Sequence, residues 1–290
     1  MKIIVSEKCG FCFGVEHAIE LAQEMLAQRK DVYCLGSIIH NKQVVDRLAQ
    51  RGLKVVESLS EIPPIPPGTP EQAIPTVLIR SHGCHPDTLA EIARRGLRLA
   101  DATCILVKRA QKLVRELHEQ GYQVVIIGDP NHPEVQGAVG YAPGVTVVAG
   151  ENDLVRLPAG GKLAVVSQTT HSPADFTRLV SLIAGRGFDE LRVINTICRE
   201  TARRQEAAVA LCGRVDVMFV LGGRNSANTA ELAQLCRRQG VTTHLLESSG
   251  DFDPATIAGA KAIGVTAGAS TPEWIIRDFV ERLRGATSSL

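Results

Sequence analysis

The 290-residue chain carries almost no net charge: 32 Lys plus Arg stand against 31 Asp plus Glu. Without a surplus of positive charge, little drives binding to a phosphate backbone by counterion release, which excludes nucleic acid as the principal partner. No stretch reaches roughly 18 uncharged apolar residues, so no membrane span is expected. The opening Met1-Lys2-Ile3-Ile4-Val5-Ser6-Glu7 has too short an apolar run for a secretory signal, and a cytoplasmic protein is expected. The eight cysteines lack the close, even spacing of secreted disulfide scaffolds, which points to reduced thiols available for metal. No Gly-x-Gly-x-x-Gly follows a strand-like run, so the sequence does not mark a nucleotide as electron donor.

What is present is a repeat. At 44% hydrophobic content the chain can bury one large core or several small ones. Cys12, Cys104 and Cys198 lie 92 and 94 residues apart, each after a strand-like run (Ile3 to Val5, Leu97 to Leu99, Leu191 to Ile194) and before a helix-like stretch. Twenty-four residues past each cysteine comes a glycine that ends an apolar run, Gly36, Gly128 and Gly222, and four residues further a polar residue, His40, His132 and Ser226. Each segment continues with a helix, a strand, and a further strand ending in Ser81-His82, Thr169-Thr170 or Ser270-Thr271. Alternating strands and helices predict α/β units with parallel sheets: residues 13–103, residues 104–197, and residues 1–12 plus 198–290. The Pro-rich stretch 62–75 breaks every period and is expected to be a surface loop.

Ligands of open α/β sheets bind at the carboxyl ends of strands, where helix N-termini also face. Every residue marked by the repeat belongs to that edge. Packing of the three units about a pseudo-threefold axis would make a trefoil with Cys12, Cys104 and Cys198 at its centre, and thiolates at helix N-termini are favoured by the helix dipole. Three thiolates can hold zinc with an open fourth position, or a cubane cluster with one iron lacking a protein ligand, and the spacing does not separate the two. Cys9, Cys34, Cys212 and Cys236 read as small buried hydrophobes, and Cys84 stands close to His82. His132-Pro133-Glu134 offers an imidazole and a carboxyl for proton transfer, against the alternative of a solvated loop. Asn225-Ser226-Ala227-Asn228 opens a helix and can cradle phosphate oxygens, although the same residues also cap helices without any ligand.

Gly10-Phe11-Cys12, Ile39-His40-Asn41, Ser81-His82-Gly83, Asp101-Ala102-Thr103-Cys104, His132-Pro133-Glu134-Val135, Gln168-Thr169-Thr170, Asn225-Ser226 and Thr266-Ala267-Gly268-Ala269-Ser270, in this order, resemble the 4-hydroxy-3-methylbut-2-enyl diphosphate reductases, the IspH/LytB family. The resemblance spans nearly the whole chain. It implies one [4Fe-4S] cluster on Cys12, Cys104 and Cys198 with one open iron, and the last step of the non-mevalonate isoprenoid pathway. It further implies diphosphate contacts from His40, His82, Ser226, Asn228 and Ser270, a pocket lined by His132 and Thr169, and proton delivery by Glu134. The implied partners are an allylic diphosphate substrate and a reduced donor of the ferredoxin or flavodoxin type. Two positions depart from the family pattern. Ala227 stands where many members have Ser, leaving only a backbone N–H for contact, and Ile105 replaces a Pro common after the second cysteine.

Two other functions compete. The first is a zinc-dependent hydrolase or deaminase with Cys ligands, since His132-x-Glu134 with cysteines is similar to zinc deaminases, in which Glu is the acid-base group, but the Pro-Cys-x-x-Cys that completes that pattern is absent. A redox-sensing, diphosphate-binding protein without catalysis is the other.

Overall fold

The computed structural model describes residues 1–29 and 31–288. Its strands and helices alternate as the sequence predicts: β1 (Lys2–Val5), α1 (Phe13–Gln28), β2 (Val32–Leu35), α2 (Lys42–Gln50), β3 (Leu53–Val56), β4 (Thr76–Ile79), α3 (Pro86–Arg94), β5 (Arg98–Asp101), α4 (Ile105–Glu119), β6 (Gln123–Ile127) and α5 (Pro133–Val139). There follow β7 (Thr146–Val148), β8 (Lys162–Ser167), α6 (Pro173–Ala184), β9 (Glu190–Val193), α7 (Arg199–Cys212), β10 (Val217–Leu221), α8 (Ala227–Arg238), β11 (Thr242–Leu246), β12 (Ala262–Ala267) and α9 (Glu273–Ser288). No helix among the described residues is long and apolar enough to cross a membrane.

The strands form three four-stranded sheets, ordered β3-β2-β4-β5, β7-β6-β8-β9 and β11-β10-β12-β1, and the pairings within them are parallel. The α/β class and the three similar units are thus as expected. The third sheet is a circular permutation of the other two: β1 takes the place of β5 and β9, directly before a cysteine. Contact density groups the described residues into two compact units, one of residues 1–16, 39–44 and 199–290 and one of residues 17–38 and 45–198. The first contains the β11-β10-β12-β1 sheet and the second contains the other two.

Inner strands of a parallel sheet are covered on both faces, so they read as continuous apolar runs. β4 and β10 are buried throughout, and β6, β8 and β12 along all but their first residue. Edge strands have one neighbour and mixed burial, which blurs their pattern. The runs read as Leu97 to Leu99 and Leu191 to Ile194 are in fact Arg98–Asp101 and Glu190–Val193. In the Pro-rich stretch one 3-10 turn forms at Glu71–Ala73. The stretch is pinned by its apolar residues, since Ile62 is fully buried and Ile65 packs on the β2-β4 core.

The three glycines of the repeat end the first inner strand of each sheet. Each donates its N–H to the carbonyl that closes the neighbouring strand: Gly36 to Val56 (2.8 Å), Gly128 to Val148 (3.0 Å) and Gly222 to Leu246 (2.9 Å). The chain then turns tightly under the next helix. At Gly222, with φ +147°, a Cβ would lie 2.7 Å from Thr229 Oγ1 and 2.8 Å from Thr271 Oγ1, both on buried side chains. Gly222→Ala is therefore expected to destabilise the protein by about 1–3 kcal/mol, read as a lower urea midpoint at unchanged m-value.

Candidate active site

Each of the three cysteines sits at the N-terminus of a helix, with its backbone N–H held by the loop after the second inner strand of its sheet. Cys12 donates to Ala269 O (3.1 Å), Cys104 to Ser81 O (3.0 Å) and Cys198 to Thr169 O (2.8 Å). All three are partly exposed, whereas Cys34, Cys212 and Cys236 are buried. Burial pushes the thiols of Cys34, Cys84 and Cys236 up to about 12, which keeps them neutral and fits packing roles. Cys84 packs on the β2-β4 core, and its backbone lies against Gly137 of α5.

The proton-bearing residues assemble in the unit of residues 17–38 and 45–198. His132 is the N-cap of α5, and its Nδ1 accepts the N–H of Glu134 (3.2 Å). In the neutral ring this places the proton on Nε2. The rings of His82 and His132 meet edge to face, with centroids 5.3 Å apart. Glu134 is 3% exposed, so it is no part of a solvated loop. Thr169 holds both of its oxygens: the backbone N–H donates to Oε1 (2.6 Å) and the hydroxyl to Oε2 (2.7 Å). Burial raises the Glu134 carboxyl from 4.5 to about 7, against the pull of those two bonds. The same Thr169 accepts the N–H of Cys198, so carboxyl, hydroxyl and cysteine are tied in one chain of bonds.

The anion-binding candidates gather in the other unit. Ser226 caps α8, accepting the Thr229 N–H (3.3 Å), and the next residues, Ala227 and Asn228, begin the helix with N–H groups that lack intrahelical acceptors. Asn228 is 8% exposed, and its Nδ2 is buried with no hydrogen-bond partner among the described residues. A buried donor without an acceptor is costly unless a ligand supplies one, and an anion does. Ser270 Oγ donates to His40 O (3.1 Å), and Gly223 packs so closely that a Cβ there would lie 2.5 Å from the same carbonyl. Thr229, fully buried with Oγ1 lacking a hydrogen-bond partner among the described residues, is a further polar residue of this cradle that sequence reading missed.

A family model describing the LytB protein matches residues 3–284. The chain belongs to the LytB family. Relatives of nearly equal length carry the name 4-hydroxy-3-methylbut-2-enyl diphosphate reductase. One from Geobacter metallireducens is 44% identical over 100% of this chain and 99% of its own, and one from Geotalea daltonii is 45% identical over 98% and 97%. Among solved structures, the E-1-hydroxy-2-methyl-but-2-enyl-4-diphosphate reductase of Plasmodium falciparum matches with TM-score 0.89 at 28% identity, over 97% of this chain and 87% of that one. A second, described as (E)-4-hydroxy-3-methyl-but-2-enyl diphosphate reductase, the terminal enzyme of the non-mevalonate pathway, matches with TM-score 0.69 at 38% identity over 98% and 100%.

In this LytB chain one buried cation also escaped the sequence reading. Arg204, 4% exposed on α7, donates Nη1 to Lys8 O and Ala267 O and Nη2 to Gly10 O, each at 3.0 Å. Its fork fixes the loop that carries Cys9 and Cys12. The only trace in the sequence is its place six residues after Cys198, on the buried face of a helix.

The raised Glu134 carboxyl has a consequence for stability. The folded state binds this proton more tightly than the unfolded chain, so the contribution is fully present below the ordinary value of 4.5 and is lost as pH rises through about 7. Compared with Glu134→Gln, the wild type should lose up to about 3 kcal/mol between these limits, measured by urea unfolding across pH 4.5 to 8. Parallel pH profiles for the two proteins would show that the carboxyl is not so perturbed.

Proposed function

We propose that the chain reduces 4-hydroxy-3-methylbut-2-enyl diphosphate to isopentenyl and dimethylallyl diphosphates, as the names of its relatives suggest, with Cys12, Cys104 and Cys198 holding one [4Fe-4S] cluster. The observation that carries this reading is the buried Glu134–Thr169 pair, a carboxyl poised near pH 7 and bonded through Thr169 to the backbone of Cys198. The donor set fits the cluster: three thiols at matching helix N-termini, partly exposed and each held by its backbone N–H. When bound, such a cluster supplies single electrons and an iron with an open coordination position.

The substrate gains two electrons and two protons and loses its hydroxyl as water. Ser226, Asn228 and Ser270, with His40 and His82, take up the diphosphate, and the orphan Asn228 Nδ2 supports that assignment. Ala227 contributes its backbone N–H. Glu134 gives its proton to the departing oxygen. Its backbone-bonded Oε1 is committed to the Thr169 N–H, so the proton rides on Oε2 and faces the Thr169 hydroxyl. That hydroxyl both accepts and donates, which makes the pair a two-group relay. His132, whose Nδ1 accepts the Glu134 N–H, lines the path. A ferredoxin or flavodoxin type protein supplies electrons, and a cytoplasmic setting keeps the eight thiols reduced.

Anaerobically purified protein is expected to be brown, with about four irons and four sulfides per chain. A colourless zinc protein would favour the hydrolase alternative, and a brown one without turnover by reduced viologen would favour the sensor. Cys104→Ser should lose most of the iron. Glu134→Gln should keep cluster and diphosphate binding while turnover falls by at least 100-fold, about the contribution of general acid catalysis. In wild type, kcat should fall above about pH 7 as Glu134 loses its proton. Thr169→Val removes a hydrogen bond to the ionised carboxyl, so that limb should move to higher pH while the maximum rate drops. A limb that moves down, or stays, would contradict the relay.

A further inference from the structure

The reductase reading needs electrons delivered from outside, and the threefold repeat offers three similar helices on which a carrier could land. Each begins at a cysteine. The residues at the first, fourth, fifth and eighth positions of these helices form one stripe, since such positions share a helix face. On α1 the stripe is Phe13, Glu16, His17 and Glu20, all exposed. On α7 it is Arg199, Ala202, Arg203 and Glu206, of mixed sign. On α4 it is Ile105, Lys108, Arg109 and Lys112, with three cations, no anion and an apolar tip next to Cys104.

The α4 stripe is solvent-facing throughout. Ile105 is 67% exposed, and the opposite face of the helix buries Val107, Ala110, Gln111 and Val114. Lys108 pairs with Asp101 (2.7 Å) and Lys112 with Glu116 (3.4 Å), while Arg109 makes no ion pair among the described residues. An exposed isoleucine at the tip of a basic stripe matches the anatomy of a docking patch, an apolar centre with a charged rim. The helix rises about 1.5 Å per residue, so the whole stripe lies within roughly two turns of Cys104.

We infer that the Ile105-Lys108-Arg109-Lys112 stripe of α4 is the docking face for an acidic protein that carries single electrons. The inference rests on the reductase function proposed above. Two carriers, each oxidised by one electron, serve one turnover: one proton joins the departing hydroxyl to leave as water, and the other forms the new C–H bond on the allyl carbon. Charge on α1 repels such a partner, and the α7 stripe carries a net charge of only +1 against +3 on α4, so the repeat itself decides which cysteine the donor approaches.

The test replaces Arg109 and Lys112 together by Glu, and separately by Gln. With a reduced acidic [2Fe-2S] ferredoxin as donor at low salt, the Glu pair should cut kcat/KM for the carrier at least tenfold and flatten its salt dependence. The Gln pair should give a smaller loss. Turnover driven by reduced methyl viologen, which needs no docking, should stay unchanged in both. Glu16→Lys with Glu20→Lys on α1 serves as the control and should not slow the ferredoxin reaction. Ferredoxin affinity, titrated directly on the same variants, reads the face even in a preparation that shows no turnover. Unchanged affinity and unchanged ferredoxin-driven turnover in the Glu pair overturn the docking face, as does an equal fall with both donors in both pairs. Absence of viologen-driven turnover in wild type, with the affinity loss intact, counts against the reductase reading alone.

Discussion

The three cysteines of the repeat are held by one backbone hydrogen bond made three times, from the N–H of a cysteine to the loop that follows the second inner strand of its sheet. Parallel strands point the same way, so their carboxyl ends and the N-termini of the following helices share an edge. The bonds from Cys12 to Ala269, Cys104 to Ser81 and Cys198 to Thr169 lock each cysteine onto that edge. The side chains that follow, Ser270, His82 and Thr169 itself, are each carried to that edge of their own sheet. A reactive group on such an edge is held by the sheet behind it rather than by a flexible loop, which is what pre-organisation requires.

A symmetric scaffold supplies equivalent positions, but reduction of an asymmetric substrate needs unequal neighbours. The repeat departs from itself where that need arises. Four residues past the repeat glycine, His132 and Ser226 are helix N-caps. In the first sheet the cap is Asn41, which accepts the Val44 N–H at 3.2 Å, and His40 is set one residue earlier. After the second inner strand, the counterpart of His82 and Ser270 is Thr170, yet it is Thr169 that binds Glu134. One unit thereby collects proton carriers, and the other collects short donors at a helix N-terminus.

Much of this was legible because the signals were local. Inner strands announce themselves as unbroken apolar runs, and the glycine offsets are set by turn geometry. Edge strands shifted by a residue or so because half their side chains face solvent. The pairing of Glu134 with Thr169 spans 35 residues of chain and leaves no periodic trace. Arg204 was invisible for a different reason: its neighbours Arg199 and Arg203 are ordinary surface cations, and only the fold shows that one of the three turns inward to satisfy the carbonyls of Lys8, Gly10 and Ala267. The grouping of residues 39–44 with 199–290 is likewise marked by no change in composition.

The placement of Glu134 shows why burial and hydrogen bonding must be balanced rather than maximised. Desolvation alone would lock the proton on the carboxyl, and a third or fourth donor would return it to the ordinary carboxylate range. Two donors from one residue leave it near 7, where it can give up a proton and recover it. Because both donors belong to Thr169, whose carbonyl also holds Cys198, the position of the acid and its proton affinity are set by the same loop. A displacement of that loop would change the acid strength and the cysteine together, so selection for either one constrains the other.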